Sequence, residues 1–521
     1  MACFTSTQFA EPDTPFLAGE NRDGIDEADA ITREKVAEYQ RQNAQLNKRI
    51  ASRKIKEQAD AKIGENGLDP GDEASQARMR KNILRHNWEL HRGRPIAFAV
   101  YTGKTVTRNS VQSRLKVPSN PWGKGSIEPD TILTGGDPFT RGDQVAPGPL
   151  SAATLLGGMR DQPFEFPADR AARRLALARW ITNPSNPLAA RVIVNRVWSW
   201  HFGRGIAANP NNLGGTGGLP THPRLLDTLT QWFIENGWSI RKLNQLIVTS
   251  DAYRRGSRLD RTNQKQRPPG ADDLYLTFSP RRLSAEELRD AMLAASGELN
   301  RQVGGIPCRP DINMEVAMQP RQIMGGTASV YEPDPRPQRR NRRTLYCEKI
   351  RGLRDPFLET FNQPGPDRSC ELRETSTVAP QALTMLNAQE MQDRAIALAA
   401  ALMKKMKEDN GADRARVIDR LFLQTLARHP DESEIAGCLE HWLAMTDVER
   451  GRVYTPQDFP AQVQRTVMAE KTGQPYSFIE SMPAYKRYVP DLGPSDVTPA
   501  VRGLAQVCLV VMNTNEFSYL D

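Results

Sequence analysis

Apolar residues recur at helical spacing through most of the second half of the chain and only thinly near its start. Residues 31–59 place Val36, Leu46 and Ile50 on one sparse edge among Gln, Glu, Lys and Arg, with no Gly or Pro between them. That pattern predicts a long helix. Gly64, Gly67 and Pro70-Gly71 predict a turn, and residues 74–92 a returning helix. The hairpin so formed, residues 31–92, has too little apolar edge for a core element and is expected as a solvent-facing arm. Residues 1–30 are polar, rich in Pro, Gly and Asp, and expected to be irregular. Over 93–165 the spacing shortens. IAFAVYTG (96–103) and TILTGGDPF (131–139) suit strands, so a small β-rich segment is expected.

From 166 onward amphipathic helices dominate. DRAARRLALARWI (169–181) is stopped by Asn183-Pro184, and Pro187 opens a helix that ends near Phe202 with Gly203 as its cap. PRLLDTLTQWFIEN (223–236) and IRKLNQLIVTS (240–250, capped by Ser239) follow. Ser284 and Glu287 form a capping box for a further helix. Short connections make 166–300 an antiparallel helical core domain. Residues 301–375 read as an irregular Pro/Arg-rich connection. Residues 376–521 read as a C-terminal helical domain, with periodic stretches at 381–405, 413–428, 431–445 and 499–511 and Ser376 or Thr377 as a first cap. The fold class is mainly α: antiparallel helical domains, a small β-rich segment and an N-terminal helical-hairpin arm.

Length and charge narrow this little further. A chain of 521 residues calls for two to four domains. Its formal charge of +8 is spread in mixed sign, which fits a solvated surface better than a nucleic-acid stripe. The densest basic run, PRPQRRNRR (335–343), lacks aromatic partners and reads as a solvated loop tip. The six cysteines stand singly at 3, 308, 347, 370, 438 and 508. Without CxxC or CxxCH, nothing supports a zinc ribbon, a thioredoxin-type site or covalent haem, and no cofactor is expected. Cys438 and Cys508 fall in apolar helical patterns. Cys370 is either a packed loop cysteine or one activated by Arg368 and Arg373. No apolar run reaches 18 residues, and the first residues lack a secretory pattern, which taken alone predicts the cytoplasm.

Candidate chemistry concentrates between Arg191 and Pro223, RVIVNRVWSWHFGRGIAANPNNLGGTGGLPTHP. Polar residues inside an apolar helix are costly unless paired. Arg191, Asn195 and Ser199 share one helical face, which either lines a pocket or bonds the loop that follows. His201 ends the helix, where it can complement the dipole. His222 precedes Pro223, and a cap by Thr221 would leave its imidazole free. His222 and His201 are the catalytic candidates, with Asn195, Arg196 and Arg204 as binding residues. No metal-ligand spacing, no GxGxxG, no P-loop and no GxSxG elbow accompanies them.

RRLALARWITNPSNPLAARVIVNRVWSWHFGRGI followed by PTHPRLLDTLTQWFIENGWSIRKLNQLIVTSDAYR resembles the planctomycete family called PSD-one, or domain of unknown function fifteen-fifty-three. DTILTGGDPFTRGDQVAPG, SPRRLSAEELRDAML, RDPFLETFNQPGPDRSCELRETSTVAPQALTMLN and LVVMNTNEFSYLD extend the likeness from about residue 95 to the end. The resemblance implies an extracytoplasmic (periplasmic) protein whose domain commonly follows a cytochrome-c-like domain. Residues 1–30 are then the tail of a missing upstream domain. It implies a binding or assembly module of an exported, cytochrome-associated system linked to complex polysaccharide use. The alternative is a glycan-active enzyme, hydrolytic or oxidative, with a His/Arg/Asn pocket. Implied partners are a cytochrome-c-like domain or protein and a polysaccharide, with Trp122 and Tyr476 as aromatic contacts. Where relatives show Asp-Phe-Gly this chain has Asn212-Leu213-Gly214, a loss only if that Asp is more than a turn former.

Overall fold

The computed structural model describes residues 2–56, 68–107, 114–150, 164–257, 274–323, 326–367, 369–408 and 413–520. The strands used below are β1 (Thr7–Ala10), β2 (Ala99–Thr102), β3 (Thr131–Leu133), β4 (Arg141–Gln144), β5 (Gln462–Met468) and β6 (Pro475–Ser481). The principal helices are α1 (Ile25–Lys56), α2 (Pro70–Glu89), α3 (Arg173–Ile181), α4 (Ala189–Phe202), α5 (Pro223–Glu235), α6 (Ile240–Val248), α7 (Ala285–Ser296), α8 (Gln389–Glu408), α9 (Arg414–Leu426), α10 (Glu432–Arg450) and α11 (Pro499–Met512). Helices outweigh the small two-stranded sheets, so the fold is mainly α.

The chain divides into two compact units: residues 1–15 with 95–281 and 521, and residues 16–94 with 282–520. The predicted core domain 166–300 is therefore cut at Arg281/Arg282, because α7 buries its apolar face with the C-terminal helices. In the first unit β1 pairs antiparallel with β2, from Thr7 opposite Thr102 to Ala10 opposite Ala99. The N-terminal segment is thus not wholly irregular: TQFA supplies the partner that AVYT needs to satisfy its backbone. β3 and β4 form a hairpin whose turn carries Gly135 at φ 64° and an Asp137 carboxylate accepting from Phe139 N–H at 2.9 Å. Arg173 on α3 donates to Asp130 Oδ2 at 2.9 Å, fixing α3 beside that hairpin. The core of this unit is α4, α5 and α6, joined through Val194, Val197, Trp198, Leu226, Phe233, Leu243 and Ile247.

In the second unit α11 lies at the centre of a helical core, with Leu504, Cys508 and Val511 among Leu398, Leu402, Leu421 and Trp442. Gly503 permits this approach, since a Cβ there would collide with Thr446 on α10. The single periodic stretch predicted at 381–405 is two helices, Ala379–Asn387 and α8, separated where Ala388 adopts ψ 137°. Neither Ser376 nor Thr377 caps the first: its N-cap is Val378, and the Ser376 hydroxyl donates to Asn362 Oδ1 at 2.8 Å.

The α1–α2 hairpin belongs to this unit, and its inner face is not solvent-facing. The helices run antiparallel, with Gln76 opposite Asn47 and Arg78 opposite Gln42. Tyr39, Leu46, Ile50 and Met79 are buried between them. Beyond that strip the buried face is polar and paired. Lys35 pairs with Glu332, the Tyr39 hydroxyl donates to Glu480 at 2.6 Å, and Asn82 donates to Thr327 O at 3.0 Å. A reading that counts apolar residues misses a face buried by pairing. The predicted continuation of α1 through residue 59, and most of the predicted turn, lie outside the described residues. Glu480 comes from a further element the sequence did not announce, the β5–β6 hairpin, whose register runs from Gln462 opposite Ser481 to Met468 opposite Pro475.

Candidate functional site

The polar residues of α4 are committed to the loop that follows. Asn195 is fully buried, and its amide clamps Ala207: Ala207 N–H donates to Oδ1 and Nδ2 donates to Ala207 O, both at 2.9 Å. Gly205 lies beneath this clamp, where a Cβ would stand 2.5 Å from Ala207 O and 2.7 Å from Asn195 Nδ2. Gly203, at φ 77°, ends α4 and starts the turn toward it. Arg196 donates to Asn211 Oδ1, Ser199 to the Arg196 carbonyl, and Arg191 to Asp227 on α5 at 2.7 Å. Arg204, half-buried after the turn, is also partnered.

The Gly-rich loop is folded on itself. Asn212 Oδ1 accepts from Gly214 N–H at 3.0 Å while its Nδ2 donates to Thr216 Oγ1 at 2.9 Å. Gly217 is required, because a Cβ would collide with the Asn212 carbonyl. Residue 212 is therefore a turn former, and the Asn in place of Asp retains that job.

The two histidines have separate partners. His201 Nε2 lies 3.0 Å from Asn244 Oδ1 on α6, and its ring meets Tyr253 edge-on at 5.7 Å. His222 Nδ1 lies 3.0 Å from Thr221 Oγ1, and its ring packs 5.6 Å from Tyr275. Thr221 does not cap α5. Its hydroxyl and N–H both donate to Ile206 O, at 3.2 and 2.9 Å, and His222 occupies the cap position. Neither imidazole has a carboxylate partner among the described residues. The segment joins three helices and a loop, and His201 and His222 are not brought to a common partner among the described residues.

Unusual electrostatics lie instead in the second unit. The basic run read as a solvated tip holds Arg339, Arg340 and Arg342 with almost no exposure. Arg340 donates to the carbonyls of Pro335 and Val489 at 2.9 and 2.8 Å and to Asp491 Oδ1 at 2.8 Å, and its guanidinium lies 4.3 Å over the Tyr488 ring. Arg342 donates to Ile306 O at 2.9 Å and to Gly304 O. Arg289 on α7 reaches the same strip, donating to Arg340 O and Arg342 O at 2.9 and 3.1 Å. These side chains satisfy carbonyls of a segment that has few ladder bonds of its own. Around them, burial and neighbouring Asp355 push Glu390 up to about 8, and burial pushes Asp393 to about 6. The signal available in the sequence was the alternation of Arg with Pro and Asn, which needs partners from distant segments to become a buried network.

Cys308 and Cys347 face each other here with sulfurs 3.6 Å apart. Cys370, by contrast, is exposed and its thiol points at Leu372 O, 3.1 Å away; Arg368, invoked for it, lies outside the described residues.

A groove of about 840 Å³ lies between the α1–α2 hairpin and β5–β6. Its apolar side includes Ala74, Ala77, Leu84 and Tyr476, and amides of Asn43, Asn47, Gln76 and Gln322 border it. Tyr476 is buried, with its hydroxyl 3.3 Å from Thr327 Oγ1. Arg80, Lys81 and Lys471 line the groove together with Glu73 and Glu470; Lys471 pairs with Glu73, and neither Arg80 nor Lys81 has a carboxylate partner among the described residues. Trp122 is partly exposed in the other unit. No helix among the described residues is long and apolar enough to cross a membrane. No curated protein and no solved structure matches the chain. A family model does match, over residues 173–442, and with more than half its length so covered the chain belongs to PSD1, the protein family of unknown function (DUF1553).

Proposed function

We propose that this chain is a binding module for an acidic polysaccharide, acting in an exported system alongside a cytochrome-c-like partner. The observation that carries the binding half is the groove on α1–α2. Sugars present apolar ring faces and a dense edge of hydroxyls, so they suit an apolar wall bordered by amides. With Glu73 paired to Lys471, Arg80 and Lys81 outnumber the remaining Glu470 and leave a net positive charge that favours sulfate or carboxylate substituents. The cytochrome and export elements rest on family resemblance alone. The rival enzyme reading is weakened because His201 and His222 are each held by their own neighbour.

Titration of the protein with dextran sulfate and with polygalacturonate at low salt tests this, with neutral dextran as the control. Binding of a charged polymer, weakened by salt and lowered about tenfold or more by combined Arg80→Ala and Lys81→Ala, is the expected result. No binding of either charged polymer, or binding untouched by the double substitution, overturns it.

A further inference from the structure

We propose that Cys308 and Cys347 are a dithiol site that closes to a disulfide on exposure to a disulfide oxidant such as oxidised glutathione. The backbone brings them together. Cys308 and Cys347 form an isolated parallel bridge, in which Cys308 N–H donates to Tyr346 O at 2.8 Å and Glu348 N–H donates to Cys308 O at 2.9 Å. Residues paired this way carry their Cβ atoms on the same side at a spacing a disulfide accepts. The sulfurs stand 3.6 Å apart in the reduced form, so side-chain rotation with a small backbone adjustment is enough to bond them.

The surroundings suit the chemistry. Cys308 is fully buried, whereas Cys347 is partly exposed and lines a cavity of about 50 Å³ together with Pro310, Lys349, Arg354 and Asp355. Arg289, pinned by its bonds to the Arg340 and Arg342 carbonyls, presents positive charge to both sulfurs. The Cys347 thiol hydrogen-bonds Cys308, and with Arg289 this lowers the Cys308 thiol. The same hydrogen bond to Cys308, with burial and a smaller contribution from Asp355, pushes the Cys347 thiol well up. In the exchange, the accessible Cys347 Sγ attacks one sulfur of the oxidant as its proton passes across the S···S contact to the Cys308 thiolate, and the oxidant's S–S bond breaks to release one thiolate. Cys308 then gives that proton to the released thiolate, attacks Cys347 Sγ and expels the second thiolate. Two protein thiols become one disulfide, and the oxidant takes both electrons and both protons as two free thiols. The bond would staple the ends of the segment that carries the buried arginines 339, 340 and 342.

The test is differential alkylation of the reduced, full-length chain after equilibration in glutathione buffers of rising oxidised fraction, read by peptide mass. The expected result is joint protection of Cys308 and Cys347 in one linked peptide lighter by two hydrogens. Cys3, Cys438 and Cys508 should stay unlinked, and exposed Cys370 should carry at most glutathione. The oxidised chain should melt roughly 5 °C above the reduced one, given the loop of about 40 residues closed. That difference should vanish in Cys308→Ala. Continued alkylation of both thiols in excess oxidised glutathione, or linkage of either to Cys370 instead, overturns the proposal without reference to any variant.

Discussion

Asn195 has no exposed surface, and both ends of its amide bond the backbone of one residue, Ala207, across twelve positions of chain. No other side chain of that size offers a donor and an acceptor in the same plane at that spacing, except Gln, which is one methylene too long. Asn195→Ala would leave a buried N–H and a buried carbonyl unpaired. The expected loss is about 3 kcal/mol, read from the midpoint of urea unfolding. Asn195→Asp should cost at least as much, because its carboxylate faces the Ala207 carbonyl with no donor to offer. If Asn195 were a binding residue held open for a ligand, both variants would keep wild-type stability and lose only binding. The choice between pocket and loop bond was visible in the sequence, since Arg191, Asn195 and Ser199 shared a face. Which partner each would take was not, because the answer depended on the loop returning beneath α4 at Gly205.

At the scale of elements, legibility followed the source of each segment's burial. Helices whose faces are apolar, such as α4, α5, α7 and α11, could be read from spacing, and Gly203 marked the end of α4 and the Ser284–Glu287 box the start of α7 correctly. The α1–α2 hairpin, β5–β6 and the stretch around residue 340 could not be placed in this way. Beside a few apolar residues such as Leu46 and Ile50, their buried positions include Lys35, Arg78, Arg465, Glu480, Arg340 and Arg342, which a periodicity argument assigns to solvent. Paired charges become interior only when several distant segments supply partners at once, and that information is not local. The consequence is a specific sensitivity. Arg342→Met keeps the volume but removes the donors to Ile306 O and Gly304 O, both in backbone with no sheet to fall back on. A loss of about 3 kcal/mol is expected in chemical unfolding, whereas the same change at exposed Arg336 should cost under about 0.5 kcal/mol. Equal effects at the two positions would return the basic run to the solvated tip its composition describes.

Across the whole molecule, the concentration of buried ionisable groups in the second unit makes stability depend on pH from both sides. His86 is pushed well below its usual value by burial and by Lys35 and Arg309, so it is neutral in the fold and its protonation opposes folding as pH falls through the range where the unfolded imidazole charges. Glu390 acts in the opposite sense. Its pKa rises from an ordinary 4.5 to about 8, so between those limits the folded chain holds a proton that the unfolded chain has released. Stability therefore falls as pH climbs through that window, and Asp393, raised to about 6, adds to the early part of the slope. A shift of one unit corresponds to about 1.4 kcal/mol, but the Glu390 side chain keeps 26% of its surface, and solvent reduces the effect to on the order of 2 kcal/mol. Glu390→Gln preserves the shape of the protonated acid and removes the titration. In melting curves taken across pH 5 to 9, the variant should gain about 3 °C over wild type near the alkaline end, and the two should converge near pH 5. The acid limb, set by His86, should be unchanged. A wild-type curve flat from pH 5 to 9, or a Gln variant that tracks it throughout, would mean that Glu390 is ionised and solvated in the folded chain.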